Sequence, residues 1–116
     1  MVWLDIETTT SRGCSWAGHS HVSNCEFVEE LAKAVKSHGV NVGIYSSVYE
    51  WEEVMGSSRA CTGLKHHPLW YAHYDDRANF GDFASHRIGG WTKPAIKQYR
   101  GTTTVCSTGV DLNWYP

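Results

Sequence analysis

The run Val2-Trp3-Leu4-Asp5-Ile6-Glu7 constrains this chain more than any other stretch. Val2, Trp3, Leu4 and Ile6 supply the short apolar, β-favouring run of a strand buried on both faces. Successive side chains of a strand alternate between faces, so Asp5 and Glu7, at i and i+2, share one. At ~3.3 Å of rise per residue their Cα atoms stand roughly 6.5 Å apart. A carboxylate withdrawn from water is costly unless it is paired, hydrogen-bonded or put to use. Two acids on one face of an apolar strand therefore form a candidate acid/base site. The competing reading is that the strand ends here and both acids cap the next loop, since paired acids also occur in solvated loops.

The 116 residues fit one domain with its own core. A net charge of −2 and a pI near 6.4 give no basic footprint for nucleic acid. Lys and Arg never cluster beyond two neighbours, so a membrane or phosphate surface is equally unsupported. Six Trp and six Tyr point towards carbohydrate, because flat amphipathic rings stack on sugars, or towards an aromatic core.

Cys14, Cys25, Cys61 and Cys106 lie outside zinc-site spacing. An even count of that kind favours two disulfides and an oxidising compartment. Sequence neighbours, Cys14 with Cys25 and Cys61 with Cys106, are the expected partners among three connectivities. The histidines of His19-x-His21 and His66-His67 read as loop residues rather than metal ligands, because no acid or Cys stands at ligand spacing beside them. The sequence opens inside a strand, without the basic and apolar segments of an export signal. A secreted-type composition without that signal gives the expectation that an upstream segment is missing.

Taken in order, residues 8–23 are polar and loop-like. Ser23-x-x-Glu26 has capping-box spacing and opens a helix through Phe27, Leu31, Ala34 and Val35, stopped at Gly39. Asn41–Ser46 is a second strand. Ser47-x-x-Glu50 repeats the capping box and opens a helix stopped near Gly56. Strand, helix, strand, helix implies parallel strands with crossovers. After Gly56 the helical period is lost. Pro68–Tyr74, Ala95–Tyr99 and Val110–Tyr115 read as three more strands, with the turn between the last two at Gly101 and Thr102–Thr104. Asp75, Asp76 and Asp82 read as solvated loop acids. Too few strand–helix units remain to close an eight-stranded barrel, so an open α/β fragment or incomplete barrel is expected.

Val2–Glu7, Val42–Ser46, Leu69–Tyr74, Lys97-Gln98-Tyr99 and Gly109-Val110-Asp111-Leu112-Asn113 together resemble the glycoside hydrolase family 25 lysozymes, in order and rough spacing. The Cys-bearing, Trp-rich version is similar to the eukaryotic branch. All 116 residues take part, but they match only the second half of the family domain. The resemblance implies a partial domain over residues 1–116: α/β, the C-terminal part of a modified (β/α) barrel with parallel strands and its first strands missing. It implies a secreted, lysosomal or phagosomal muramidase acting on bacterial peptidoglycan, with no cofactor or metal, and leaves the oligomeric state open. By this likeness Glu7 is the general acid and Asp5 its partner carboxylate, as nucleophile or as guide of the substrate's 2-acetamido group. Asp111 joins them in the cleft, and Tyr45, Trp70, Tyr74 and Gln98 line the sugar groove.

Glycosidic cleavage needs a proton for the leaving oxygen and negative charge opposite an oxocarbenium-like centre. Two carboxyls perform both tasks when their proton affinities are pushed apart. The alternatives from the residues alone are that Asp111 caps a turn and that Trp70 and Tyr74 belong to the core. With the family's opening strands unmatched, β-type residues 2–7 would form a raw sheet edge. The resulting expectation is a chain of low stability and weak activity, or a non-catalytic carbohydrate-binding remnant.

Overall fold

Strand register turns the alternation in the sequence into two chemically distinct faces. In the computed structural model, which describes residues 1–116, five strands lie side by side in chain order. They are β1 (Val2–Asp5), β2 (Val42–Ser47), β3 (Leu69–Ala72), β4 (Ile96–Val105) and β5 (Thr108–Trp114). The first four are parallel and β5 returns antiparallel to β4. Helices α1 (His21–Ser37) and α2 (Val48–Met55) supply the crossovers after β1 and β2. The β3–β4 connection carries only a single 3-10 turn, Phe83–Ser85. The result is a curled, open half-barrel with β1 and β5 at its edges, in agreement with the expected α/β class and the loss of helices past Gly56.

Leu4 is paired with Ile44, Ile44 with Leu69, Ser46 with Tyr71, and Tyr71 with Lys97, all on one face. Leu4, Ile44, Leu69 and Tyr71 are buried there with Val28, Ala32, Trp51 and Val54 of the two helices. Each such side chain contributes about 1.5–3 kcal/mol by leaving water. The same register sets Trp3, Asp5, Tyr45, Trp70, Ala72 and Gln98 on the opposite, inner face. Gly43 is required by that face, because a Cβ there would lie 2.4 Å from the Trp3 ring.

Helix α1 starts one turn earlier than its Ser23-x-x-Glu26 pattern predicts. Ser20 is the N-cap, its hydroxyl accepting from Ser23 N at 3.1 Å. The added turn brings in His21, whose ring nitrogen reaches Val54 O at 3.2 Å beside the amide nitrogen of Asn24 at 2.9 Å. That carbonyl lies in the last turn of α2, where the helix leaves acceptors unpaired. Helix α2 starts as predicted, with Ser47 Oγ accepting from Glu50 N at 3.2 Å. It ends at Gly56 in the left-handed region, φ 88°.

Three further expectations are corrected. The disulfide joins Cys25 to Cys61, with Cα atoms 5.6 Å apart, and Cys14 and Cys106 are exposed thiols. Proximity in sequence misleads because α1 carries Cys25 away from the loop of Cys14 and sets it against the turn after α2. Gly101–Thr104 is not the last turn. It forms an irregular stretch inside β4, with register shifts between Gln98 and Thr103, and the turn itself is Cys106-Ser107. Asp75 and Asp82 are not solvated: both hold the fully buried Lys97, at 2.8 and 2.7 Å. Asp76 alone of the three stays in water, paired with Arg100. No helix is long and apolar enough to cross a membrane.

Candidate active site

β1 delivers Asp5 and Glu7 to the inner face, and four hydrogen bonds pin the backbone where the strand runs out. Ile6 N donates to Tyr45 O at 2.9 Å, keeping the chain in register one residue past β1. Ser46 Oγ donates to Ile6 O at 2.8 Å, and Trp16 Nε1 donates to Glu7 O at 2.8 Å. Thr8 N then donates to Glu50 Oε2 at 2.7 Å. Both carboxyls are exposed to water, and they lie close enough to affect each other's protonation.

Their proton affinities are raised together. Partial burial is the largest cause for Glu7, followed by the charges of Asp5 and Glu50. Burial also leads for Asp5, with the charge of Glu50 adding to it. The contact between the two acts in opposite senses, raising Glu7 and lowering Asp5. Both acids thus hold their protons more tightly than free carboxylates do, a property suited to a site for acid catalysis.

Asp111 arrives from β5 and is tied through Gln98 to Tyr45 and Tyr74. Tyr45 and Tyr74 both donate their hydroxyls to Gln98 Oε1, at 2.6 and 2.9 Å. The amide's other end, Nε2, donates to Asp111 Oδ2 at 3.3 Å. Asp111 Oδ1 meanwhile accepts from Thr102 N at 2.8 Å, so it steadies the irregular stretch of β4 as well as facing the cleft. Burial, then the neighbouring Tyr74 and Glu7, holds the Tyr45 hydroxyl above its ordinary range. The Tyr74 hydroxyl is raised mainly by burial, opposed by the neighbouring Tyr45 hydroxyl, with Asp111 and Glu7 adding to the rise. Neutral phenols of this kind donate hydrogen bonds at any physiological pH.

Trp70 completes the wall. Its ring meets Tyr45 edge-on at 4.8 Å and Trp3 at 5.7 Å, and its Nε1 donates to Asn113 Oδ1 at 2.8 Å. Trp70 therefore faces the open side of the sheet and not the core. Tyr74 is more than half exposed. All seven expected residues, Asp5, Glu7, Tyr45, Trp70, Tyr74, Gln98 and Asp111, fall in one continuous arrangement. Trp3, Glu50 and Asn113 join them without having been expected. Asn113 stands in the recognised Gly109–Asn113 stretch, whereas the spacing of Glu50 signals only a helix cap.

One potential metal-ligand set lies at the cleft's edge, where donor atoms of His73, Asp82 and His86 come within 4.8 Å of one another. Asp82 is already committed: it accepts from Lys97 and Tyr71 through Oδ1 and from His73 through Oδ2.

A family model described as lysozyme-like protein 1 matches residues 1–99. The chain belongs to the lysozyme-like protein 1 family. It is 44% identical over 115 residues to probable GH family 25 lysozyme 3 of Dictyostelium discoideum, covering 99% of this chain and 22% of that relative. It is equally similar, at 44% over 115 residues, to counting factor 50 of the same organism, covering 99% of this chain and 35% of that protein. Among solved structures, the muramidase from Acremonium alcalophilum superposes on 98% of this chain with a TM-score of 0.74 and 22% identity, over 50% of the muramidase chain. At that identity the likeness is one of fold. This lysozyme-like chain thus spans half or less of the length of the relatives it matches.

Proposed function

We propose that this lysozyme-like domain carries the acid/base apparatus for hydrolysing the β-1,4 bond between N-acetylmuramic acid and N-acetylglucosamine in bacterial peptidoglycan. The observation that carries the reading is the Asp5/Glu7 pair on one face of the strand end, both raised in proton affinity by burial and by the charge of Glu50, Glu7 also by the charge of Asp5. Glu7 protonates the leaving glycosidic oxygen. Asp5, left ionised, faces the developing oxocarbenium centre as nucleophile or as guide of the 2-acetamido group, and the anomeric configuration is retained. Asp111 orients Gln98, and Gln98 orients Tyr45 and Tyr74, so the groove wall is fixed before a sugar enters. Trp70 offers the aromatic surface on which a sugar ring stacks. Work of this kind suits a secreted or lysosomal setting in which bacterial walls are broken down, for defence or as food.

A second reading is a weakly active or non-catalytic carbohydrate-binding remnant. It is favoured by an equally similar relative named a counting factor. Reducing ends released from purified peptidoglycan separate the two. On the enzyme reading the chain releases them and Glu7→Gln lowers the rate by about 10²–10⁴-fold, the usual worth of a general acid. Undiminished turnover in Glu7→Gln sinks the role of Glu7. Wall binding by the wild type without any release favours the remnant.

A further inference from the structure

Glu50 occupies the third helical position of α2, where a capping-box glutamate ordinarily reaches back to the N-cap backbone. Here only half of that box forms. Ser47 Oγ accepts from Glu50 N at 3.2 Å, but the Glu50 carboxylate turns across to a different part of the chain. Its Oε2 accepts from both Thr8 N at 2.7 Å and Thr8 Oγ1 at 2.8 Å, across 42 residues of sequence. Thr8 immediately follows Glu7, where the strand has ended and no ladder bond restrains the chain. Charged acceptors bind N–H and O–H groups more strongly than neutral ones do. A two-pronged contact therefore holds the one peptide that sets the direction of Glu7. Glu50 and Glu7 also line the same cavity of about 510 Å³, with Tyr45 and Tyr74 in its wall.

We propose that Glu50 is a positioning residue for the Asp5/Glu7 pair: its carboxylate clamps Thr8 and sets a third negative charge beside the two acids. The inference rests on the acid/base reading of that pair and adds a residue to it. The clamp fixes where the Glu7 carboxyl points. The charge opposes ionisation of both neighbours, after burial and the Asp5–Glu7 contact, and so helps keep Glu7 protonated. The other titratable groups around Glu7 are Asp5 from β1, Tyr45 from β2 and Tyr49 and Glu52 from α2. From the β3–β4 connection come His73, Tyr74 and His86, and from the loop after β1 come Cys14 and His19. His73 and His86 share the cavity with Glu50.

Glu50→Gln separates clamp from charge, because its amide oxygen still accepts from Thr8 but carries no charge. Carboxyl NMR titration of the 116-residue chain, with the amide spectrum as a check of fold, reads both. In Glu50→Gln the Glu7 midpoint moves to lower pH while the Thr8 amide keeps its position and slow hydrogen exchange. Glu50→Ala loses the clamp as well: Thr8 N–H exchanges at least tenfold faster and wall hydrolysis falls by about 10–100-fold, the scale of a misplaced catalytic group. Thr8→Val, which removes only the hydroxyl bond, gives a smaller loss with the Glu7 midpoint in place. A Glu7 midpoint identical in wild type and Glu50→Gln overturns the charge role. An unchanged Thr8 amide in Glu50→Ala overturns the clamp. Coupled carboxyls in a chain that hydrolyses nothing would sink the lysozyme reading and leave this inference standing. Turnover with a Glu7 indifferent to Glu50 would do the reverse.

Discussion

Around β4 and its outer face, Asp75 and Asp82 close on Lys97, whose ammonium is wholly buried. Around β1 and the inner face, Asp5 and Glu7 face a third acid, Glu50, and none of the three takes part in an ion pair. The outer acids give up protons readily. Asp82 is held at about 2 despite its burial, by hydrogen bonds from Lys97, His73 and Tyr71. Asp75, at whose carboxylate Lys97 ends, is likewise lowered against an opposing desolvation. The inner acids bind their protons more tightly than free carboxylates do, because burial and the charge of Glu50 act in the same direction there. The same residue types on two faces of one sheet thus take opposite roles. A cation supplied to the acids makes a strut that fastens the helix-free β3–β4 connection. A cation withheld makes a site able to deliver a proton.

The sharpest way to break this comparison is to remove the cation. Lys97→Met leaves Asp75 and Asp82 mostly buried without a counter-charge, a situation that costs about 3–5 kcal/mol. Urea unfolding of Lys97→Met is therefore expected to show a loss of that order, whereas Glu7→Gln, which removes a charge its surroundings oppose, leaves stability at pH 7 nearly unchanged. A loss below about 1 kcal/mol for Lys97→Met would mean that the outer cluster is no strut.

Acid provides the next test. A carboxyl lowered in the folded state contributes stability that is present above its unfolded value and is lost as pH falls through the folded one. For Asp82 the window runs from the ordinary 3.8 down to about 2. The loss over it is on the order of 2 kcal/mol, because a tenfold change in proton affinity is worth about 1.4 kcal/mol. Urea midpoints measured in steps across that window should fall in the wild type. Asp82→Asn, which never ionises, should flatten the slope, and an equally steep fall in that variant would assign the acid sensitivity elsewhere.

The two faces are not equally legible in the sequence. The alternation of Leu4 and Ile6 against Asp5 and Glu7 is local, so face and partnership can be read from six residues. The resemblance then extends the reading to Asp111, Tyr45, Trp70, Tyr74 and Gln98. Lys97 is invisible because nothing near it in sequence indicates burial: its partners Asp75 and Asp82 lie 22 and 15 residues away in a stretch with no period. Cys25–Cys61 escapes for a related reason, since α1 decides which cysteine meets which turn and proximity along the chain does not. Glu50 is visible, but under the wrong role. Its spacing from Ser47 is that of a helix cap, and only the three-dimensional meeting of α2 with the end of β1 reveals Thr8 as its partner.

The smallest expected effect is also the most discriminating. Asp5→Asn keeps the shape of the inner site and removes one of its charges. Asp5 is exposed enough for solvent to screen most of its interactions, so the stability change at pH 7 stays within about 0.5 kcal/mol. Its sign follows from the raised proton affinity. Stability contributed by such a group is full below the ordinary carboxylate value and fades as pH rises through the folded one. Asp5→Asn therefore gains on the wild type as pH increases from about 4, opposite to the trend on the outer face. Glu7, freed of its nearest like charge, ionises at lower pH in the variant. Paired unfolding curves at acidic and neutral pH read the first effect and carboxyl NMR the second. If Asp5→Asn instead lost stability on going to neutral pH, Asp5 would be a stabilised anion like Asp82, and the contrast between the two faces would fail.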